Sequence, residues 1–113
     1  MTPEHSAISF LLERGFDVYA EAPSDSSGSF VTVERTGGYS LHRRIEQATL
    51  AVQSWAPSTL EASELAAAVD AAMLEMADAV PSVSYVSRTS LYRFNVEQRP
   101  RYQGVYEITY MEV

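Results

Sequence analysis

Gln47-Ala48-Thr49-Leu50-Ala51-Val52-Gln53-Ser54-Trp55 alternates along its length. Ala48, Leu50 and Val52 fall on one side, and Gln47, Thr49, Ala51 and Gln53 on the other. That is the two-residue period of a half-buried strand. Pro57 ends it, because proline has no N–H to give to a ladder. Ser58 stands three residues before Glu61, the spacing of a capping box. A helix is expected from about Thr59 to Ala79, with Ala62, Leu65, Ala66, Val69, Ala72, Met73 and Met76 in one arc. The many alanines of that arc let the helix lie close against a sheet. Strand and helix match in length, at about 30 Å each. The rest of the chain is read as covering this helix's apolar face.

The other side of the helix is acidic. Glu61, Glu64, Asp70, Glu75 and Asp78 lie there, and the helix holds no Lys or Arg, so no intrahelical ion pair offsets their repulsion. Leu60, Ala67, Ala71 and Leu74 line up nearly opposite the core arc. Two readings stay open: a solvated acidic face with isolated leucines, which is ordinary, or a stripe that contacts another subunit.

Upstream, Thr2, Pro3 and Glu4 suit a helix start, as cap, first-turn proline and dipole partner. Ile8, Leu11 and Leu12 form the expected buried stripe, and Gly15 the stop. Phe16 to Ala20 reads as a short strand and Glu21 to Gly28 as a loop. Ser29 to Arg35 reads as a strand with Val31 and Val33 on one face, broken by Thr36-Gly37-Gly38-Tyr39. Ser40 to Glu46 carries Arg43 and Arg44 and is expected to project. Downstream come a short strand at Val83 and Tyr85, a second at Leu91 to Val96, a polar turn from Glu97 to Arg101, and a last strand from Tyr102 to Met111. The order α-β-β-β-α-β-β-β favours an α+β domain: a mainly antiparallel β-sheet packed against one long helix plus an N-terminal helix.

At 113 residues the chain is read as a single domain, 1–113, able to bury about 65% of its extended surface. It has no cysteine, so neither a disulfide framework nor a thiolate metal site is expected. The first apolar run is short and interrupted by Glu13 and Arg14, so neither a leader nor a membrane span is expected, and synthesis inside the cell is the default. A net charge of −7 argues against general nucleic-acid binding. Every basic residue is arginine, the better donor for bidentate interface pairs.

Little in the sequence points to catalysis. His5 and His42 have no partner at metal-ligand spacing. No serine sits in a G-x-S-x-G elbow, and Thr36-Gly37-Gly38 is a turn, without the lysine of a phosphate-binding loop. The helix carboxylates are spread around a solvent face, unlike a paired acid/base site. Tyr85, Tyr92, Tyr102, Tyr106 and Tyr110 fit cross-strand aromatic pairs or interface anchors better than stacked bases. No cofactor, metal or catalytic residue is expected.

One constellation is familiar. Phe30-Val31-Thr32-Val33-Glu34-Arg35-Thr36-Gly37-Gly38 leads to a strand ending in Gln53-Ser54-Trp55-Ala56. The acidic alanine-rich helix Glu61-Ala62-Ser63-Glu64-Leu65-Ala66 and a tyrosine-rich closing strand follow. From Phe16 to Met111 this resembles the small tail terminator proteins of long, non-contractile-tailed phages and prophages of high-GC Gram-positive hosts. The resemblance implies a non-enzymatic virion protein of the tail or neck, made in the host bacterial cytoplasm. It would form a ring, usually a hexamer, on the last ring of the major tail tube protein, stop polymerisation, and present a surface to the head–tail connector or stopper protein. Other head–tail joining or neck proteins, and a generic protein-binding adaptor, are the alternatives. The candidate interface residues are Arg43, Arg44, Leu60, Glu64, Ala67, Ala71, Leu74, Glu75, Arg99 and Arg101. Acidic helix against arginine loop would give a head-to-tail contact its orientation. No specific nucleic-acid contact and no membrane contact is expected.

Overall fold

A computed structural model of the chain describes residues 2–23, 28–94 and 99–111. The fold is α+β. Helix α1 (Pro3–Glu13) leads to a two-residue strand β1 (Val18–Tyr19), then β2 (Phe30–His42) and β3 (Ile45–Trp55). Helices α2 (Thr59–Leu74) and α3 (Met76–Ala79) follow, then β4 (Val83–Arg93) and β5 (Arg101–Met111). The five strands form one mixed sheet in the order β1-β2-β3-β5-β4. Only β1–β2 is parallel; the other three pairings are antiparallel.

The central alternation is realised. Leu50 and Val52 of β3 share a face with Val31 and Val33 of β2 and with Tyr106, Ile108 and Tyr110 of β5, and all are buried in one core. Val69, Ala72, Met73 and Met76 close that core from the helical side, with Ala7, Phe10 and Leu11 of α1. Ser58 caps α2 by accepting from the Glu61 N–H at 3.2 Å. In place of the second half of a capping box, the Ser58 hydroxyl donates to the Glu61 carboxylate at 2.9 Å. Thr2 caps α1 by accepting from the His5 N–H, and Gly15 takes the positive φ of a helix stop.

Four expectations are corrected. The long helix is divided at Glu75, where the last turn tightens to i→i+3 bonds: the Glu75 N–H reaches Ala72 at 3.0 Å and the Asp78 N–H reaches Glu75 at 3.0 Å. The α1 stripe uses Phe10 in place of Leu12, which is exposed. Thr36-Gly37-Gly38 does not end β2; the strand runs on to His42. The two short strands expected after the helices are one continuous β4, and Val96 lies outside the described residues.

Bulges explain the last two. Besides Leu41 near the tip of β2, three extra residues stand where the register shifts by one: Thr36 in β2, and Ser84 and Thr89 in β4. Each of the three carries a hydroxyl that donates to the facing strand: Thr36 to the Thr49 carbonyl at 3.5 Å, Ser84 to Thr109 at 3.4 Å, Thr89 to Val105 at 3.0 Å. The side chain thus occupies an acceptor while one backbone residue is left over. A bulge also moves the following residues to the opposite face. Val83 faces Tyr110 on the core side, whereas Tyr85 faces Thr109 and is exposed.

Candidate interaction surfaces

The helices cover one face of the sheet, and three features outside that core bear on function. The first is a bare arm. Burial on β2 ends at Val33; from Glu34 to His42 every residue is exposed except half-buried Arg35. Arg43 and Arg44 form the two-residue turn between His42 and its partner Ile45. Both are exposed and form no hydrogen bond or ion pair among the described residues. Tyr39 and Leu41 beside them are also exposed. Two features stiffen the arm. Arg35 donates to the Gly37 carbonyl at 3.1 Å and to Glu46 at 3.2 Å. Gly38 has φ +135°, and a Cβ there would stand 2.2 Å from the Gln47 carbonyl oxygen. Only glycine fits so tight a crossing.

The second feature is the outer face of α2. Leu60 is 71% exposed and Leu74 46%, with Glu64, Ala67 and Ala71 exposed between them. The candidate helix residues therefore share a surface. Two of the acidic residues leave it, however. Glu75 accepts from Arg14 of α1 at 2.6 Å. Asp70 is turned inward, its side chain only 13% exposed, and accepts from the Tyr106 hydroxyl at 2.7 Å and from Arg88 at 2.8 Å. The repulsion along the helix is thus relieved from outside it. Burial first, and the Asp70 hydrogen bond second, push the Tyr106 phenol well above its ordinary pKa.

The third feature is a row of flat groups across one end of the open sheet face. Tyr19 meets Phe30 edge-on at 5.9 Å, and Phe30 stacks on Trp55 at 5.4 Å. The Arg101 guanidinium lies 4.1 Å from the Trp55 ring centre and 4.3 Å from that of Phe94, and Phe94 stacks on Tyr92 at 6.4 Å. Cross-strand register makes this row, since Phe30, Trp55 and Arg101 are successive partners on β2, β3 and β5. The Trp55 indole N–H donates to the Thr32 hydroxyl at 3.1 Å. Arg99 lies over Phe30 at 5.0 Å and donates to the Gly28 carbonyl at 2.9 Å. Arg99 and Arg101 are therefore folded into an aromatic wall, not extended like Arg43 and Arg44. Sequence spacing could place tyrosines on strands but had no means of seeing this row.

Beyond the wall, the open face is laced by side-chain amides. Gln53 donates to Gln103 at 2.6 Å, Gln103 to the Tyr92 oxygen at 2.6 Å, and Gln47 to Glu107 at 2.8 Å. An open hollow of about 250 Å³ beside Trp55 includes Glu21, Thr32 and Glu34 in its lining. A groove of about 540 Å³ runs between α1 and the α3–β4 connection, past Ser6, Phe10, Val80 and Pro81. The Ser6 hydroxyl is buried there with no hydrogen-bond partner among the described residues. Among the described residues no three His, Cys, Asp or Glu side chains gather where they could hold a metal ion. No helix among them is long and apolar enough to cross a membrane. No protein-family model matches the chain, and a search of curated proteins finds no relative.

Proposed function

We propose that this chain is a structural subunit that works by docking onto copies of itself and onto a tubular filament. In this reading it is a phage tail terminator: a ring, with six subunits the expected number, seated on the last ring of tail tube protein. It stops tube growth and offers its other side to the connector. The reading makes it a virion component of the tail or neck with no reaction to catalyse.

The observation that carries the proposal is the pairing of two surfaces on one subunit. The β2–β3 arm ends in Arg43 and Arg44, which pair with no group among the described residues, beside exposed Tyr39 and Leu41. The outer face of α2 offers exposed Glu61 and Glu64 beside exposed Leu60 and Leu74. The two carry opposite charge, and each has exposed apolar area beside it. Two different patches that complement each other on one chain generate head-to-tail contacts, and such contacts close into rings when the rotation allows. A charged pairing of this kind selects orientation and partner more than it adds affinity. The chain's net charge of −7 also suits the wall of a passage for DNA, which must not adhere.

The test is assembly. Light scattering and native mass measurement over a wide concentration range, with and without tail tube protein, should reveal closed rings or ring-on-tube complexes. Arg43→Glu combined with Arg44→Glu should weaken that association at physiological salt. Unchanged assembly in the double variant would discard the arm-to-helix pairing. A monomer at every concentration with no affinity for tube protein would discard the terminator reading as a whole.

A further inference from the structure

We infer that Arg101 is a receptor for a carboxylate on a partner molecule, held ready by the Trp55–Phe94 clamp. A guanidinium has N–H donors only in its own plane. Here the central carbon lies over two rings, 4.1 Å from the Trp55 ring centre and 4.3 Å from that of Phe94. Both contacts are favourable, since a cation over an aromatic ring is attracted by its quadrupole. The in-plane donors are another matter. The Arg101 side chain takes part in no hydrogen bond or ion pair among the described residues, and its Nε is buried without an acceptor. The two Nη groups are not buried in this way, so the fork of the guanidinium is the end that meets solvent. Burial already disfavours the charge on Arg101. In a chain with fifteen acidic residues, a stacked, partly desolvated cation that pairs with no acid among the described residues is an unfilled position.

The ligand class follows from the shape. Two coplanar donors at the end of a clamped fork match the two oxygens of a carboxylate, in the bidentate geometry that arginine forms best. The rings fix the side chain beforehand, so little rotamer freedom is lost on binding. A polyanion such as nucleic acid fits less well, because it would have to approach a chain of net charge −7. The carboxylate is therefore assigned to an acidic side chain of another protein chain. This inference does not depend on ring formation.

Trp55 is the only tryptophan, so its emission reports directly on the group stacked upon it. The experiment titrates the intact protein, at constant ionic strength, with an acetylated and amidated Gly-Glu-Glu-Gly peptide and with its Gln-Gln counterpart. The glutamate peptide should change Trp55 emission saturably and the glutamine peptide should not. Arg101→Gln should raise the half-saturation point at least about tenfold, the loss expected for a pair of charge-assisted hydrogen bonds. Arg101→Lys keeps the charge and the wall but loses the fork, and should fall between the two. If acetate saturates the signal as well as the peptide does, the receptor stands and its ligand is a free carboxylate. If emission changes with protein concentration alone and Arg101→Lys weakens that change, the acid comes from a second copy. Equal responses to both peptides, or a folded Arg101→Lys variant that titrates like the parent, would overturn the assignment.

Discussion

The chain carries two arginine pairs at opposite ends of its central strand, and they are built for different work. Arg43 and Arg44 stand on a bare turn before Ile45, with no partner among the described residues. Arg99 and Arg101 lie against the wall that includes Trp55, at the strand's other end. Eleven residues of β3 separate the two places, about 36 Å of extended chain. A charge on a bare turn acts at a distance, guides approach, and fades within about 8 Å in physiological salt. A charge clamped between rings acts only on contact, and its geometry is set before anything arrives. The same residue type therefore supplies reach at one end and shape at the other.

This contrast can be broken most forcefully at the wall. Trp55→Ala should cost about 3–5 kcal/mol of unfolding free energy by urea titration, the range for truncating a large buried aromatic. A loss below about 1 kcal/mol would mean that the row of rings is not integral to the sheet. Next comes the arm's own stiffness. Gly38→Ala forces a Cβ into the Gln47 carbonyl at a positive φ, which should cost about 1–3 kcal/mol. The loss should be concentrated in the arm, so amide exchange should speed up between Thr36 and Gln47 and stay slow in β5.

A smaller effect is expected at Tyr106→Phe, which removes one buried hydrogen bond to Asp70 and should cost about 1 kcal/mol in the same titration. Its pH dependence sharpens the point. The folded-state pKa of Tyr106 is raised above the unfolded value of 10.0. Its contribution is thus fully present below pH 10 and is lost as pH climbs toward the folded value. The phenylalanine variant should show a flatter decline of stability on the alkaline side. Least affected in stability should be the Arg43→Glu, Arg44→Glu double variant, within about 0.5 kcal/mol of the parent because exposed charges contribute little to folding. Its self-association should fall nonetheless, and more steeply at low salt than at high.

What was legible in the sequence was local. Ser58, Pro57 and the period of Gln47–Trp55 act over a few residues, so strand, stop and helix start could be read directly. The core arc across α2 and α3 was readable for the same reason, down to buried Met73 and Met76. The bulges were less accessible, because a Ser or Thr hydroxyl at Thr36, Ser84 or Thr89 looks like any other until its facing carbonyl is known. Hence Thr36-Gly37-Gly38 read as an end when it was a detour. The tether of Asp70 to Tyr106 and Arg88 spans 36 and 18 residues, beyond any periodicity. Of the candidate interface, Arg43, Arg44, Leu60, Glu64, Ala67, Ala71 and Leu74 lie exposed. Glu75 is instead bound to Arg14, and Arg99 and Arg101 belong to a wall that only strand pairing could assemble.

The two dislocations in β4 have a bearing on life at high local concentration. β4 is the last strand in the sheet order, and its outer rim has no neighbouring strand among the described residues. An uninterrupted rim eleven residues long would invite another molecule to add its own strand and start a fibril. The misfits at Ser84 and Thr89 leave only a short regular run between them, from Tyr85 to Arg88. A crowded population of these molecules is thereby steered away from endless edge-to-edge growth.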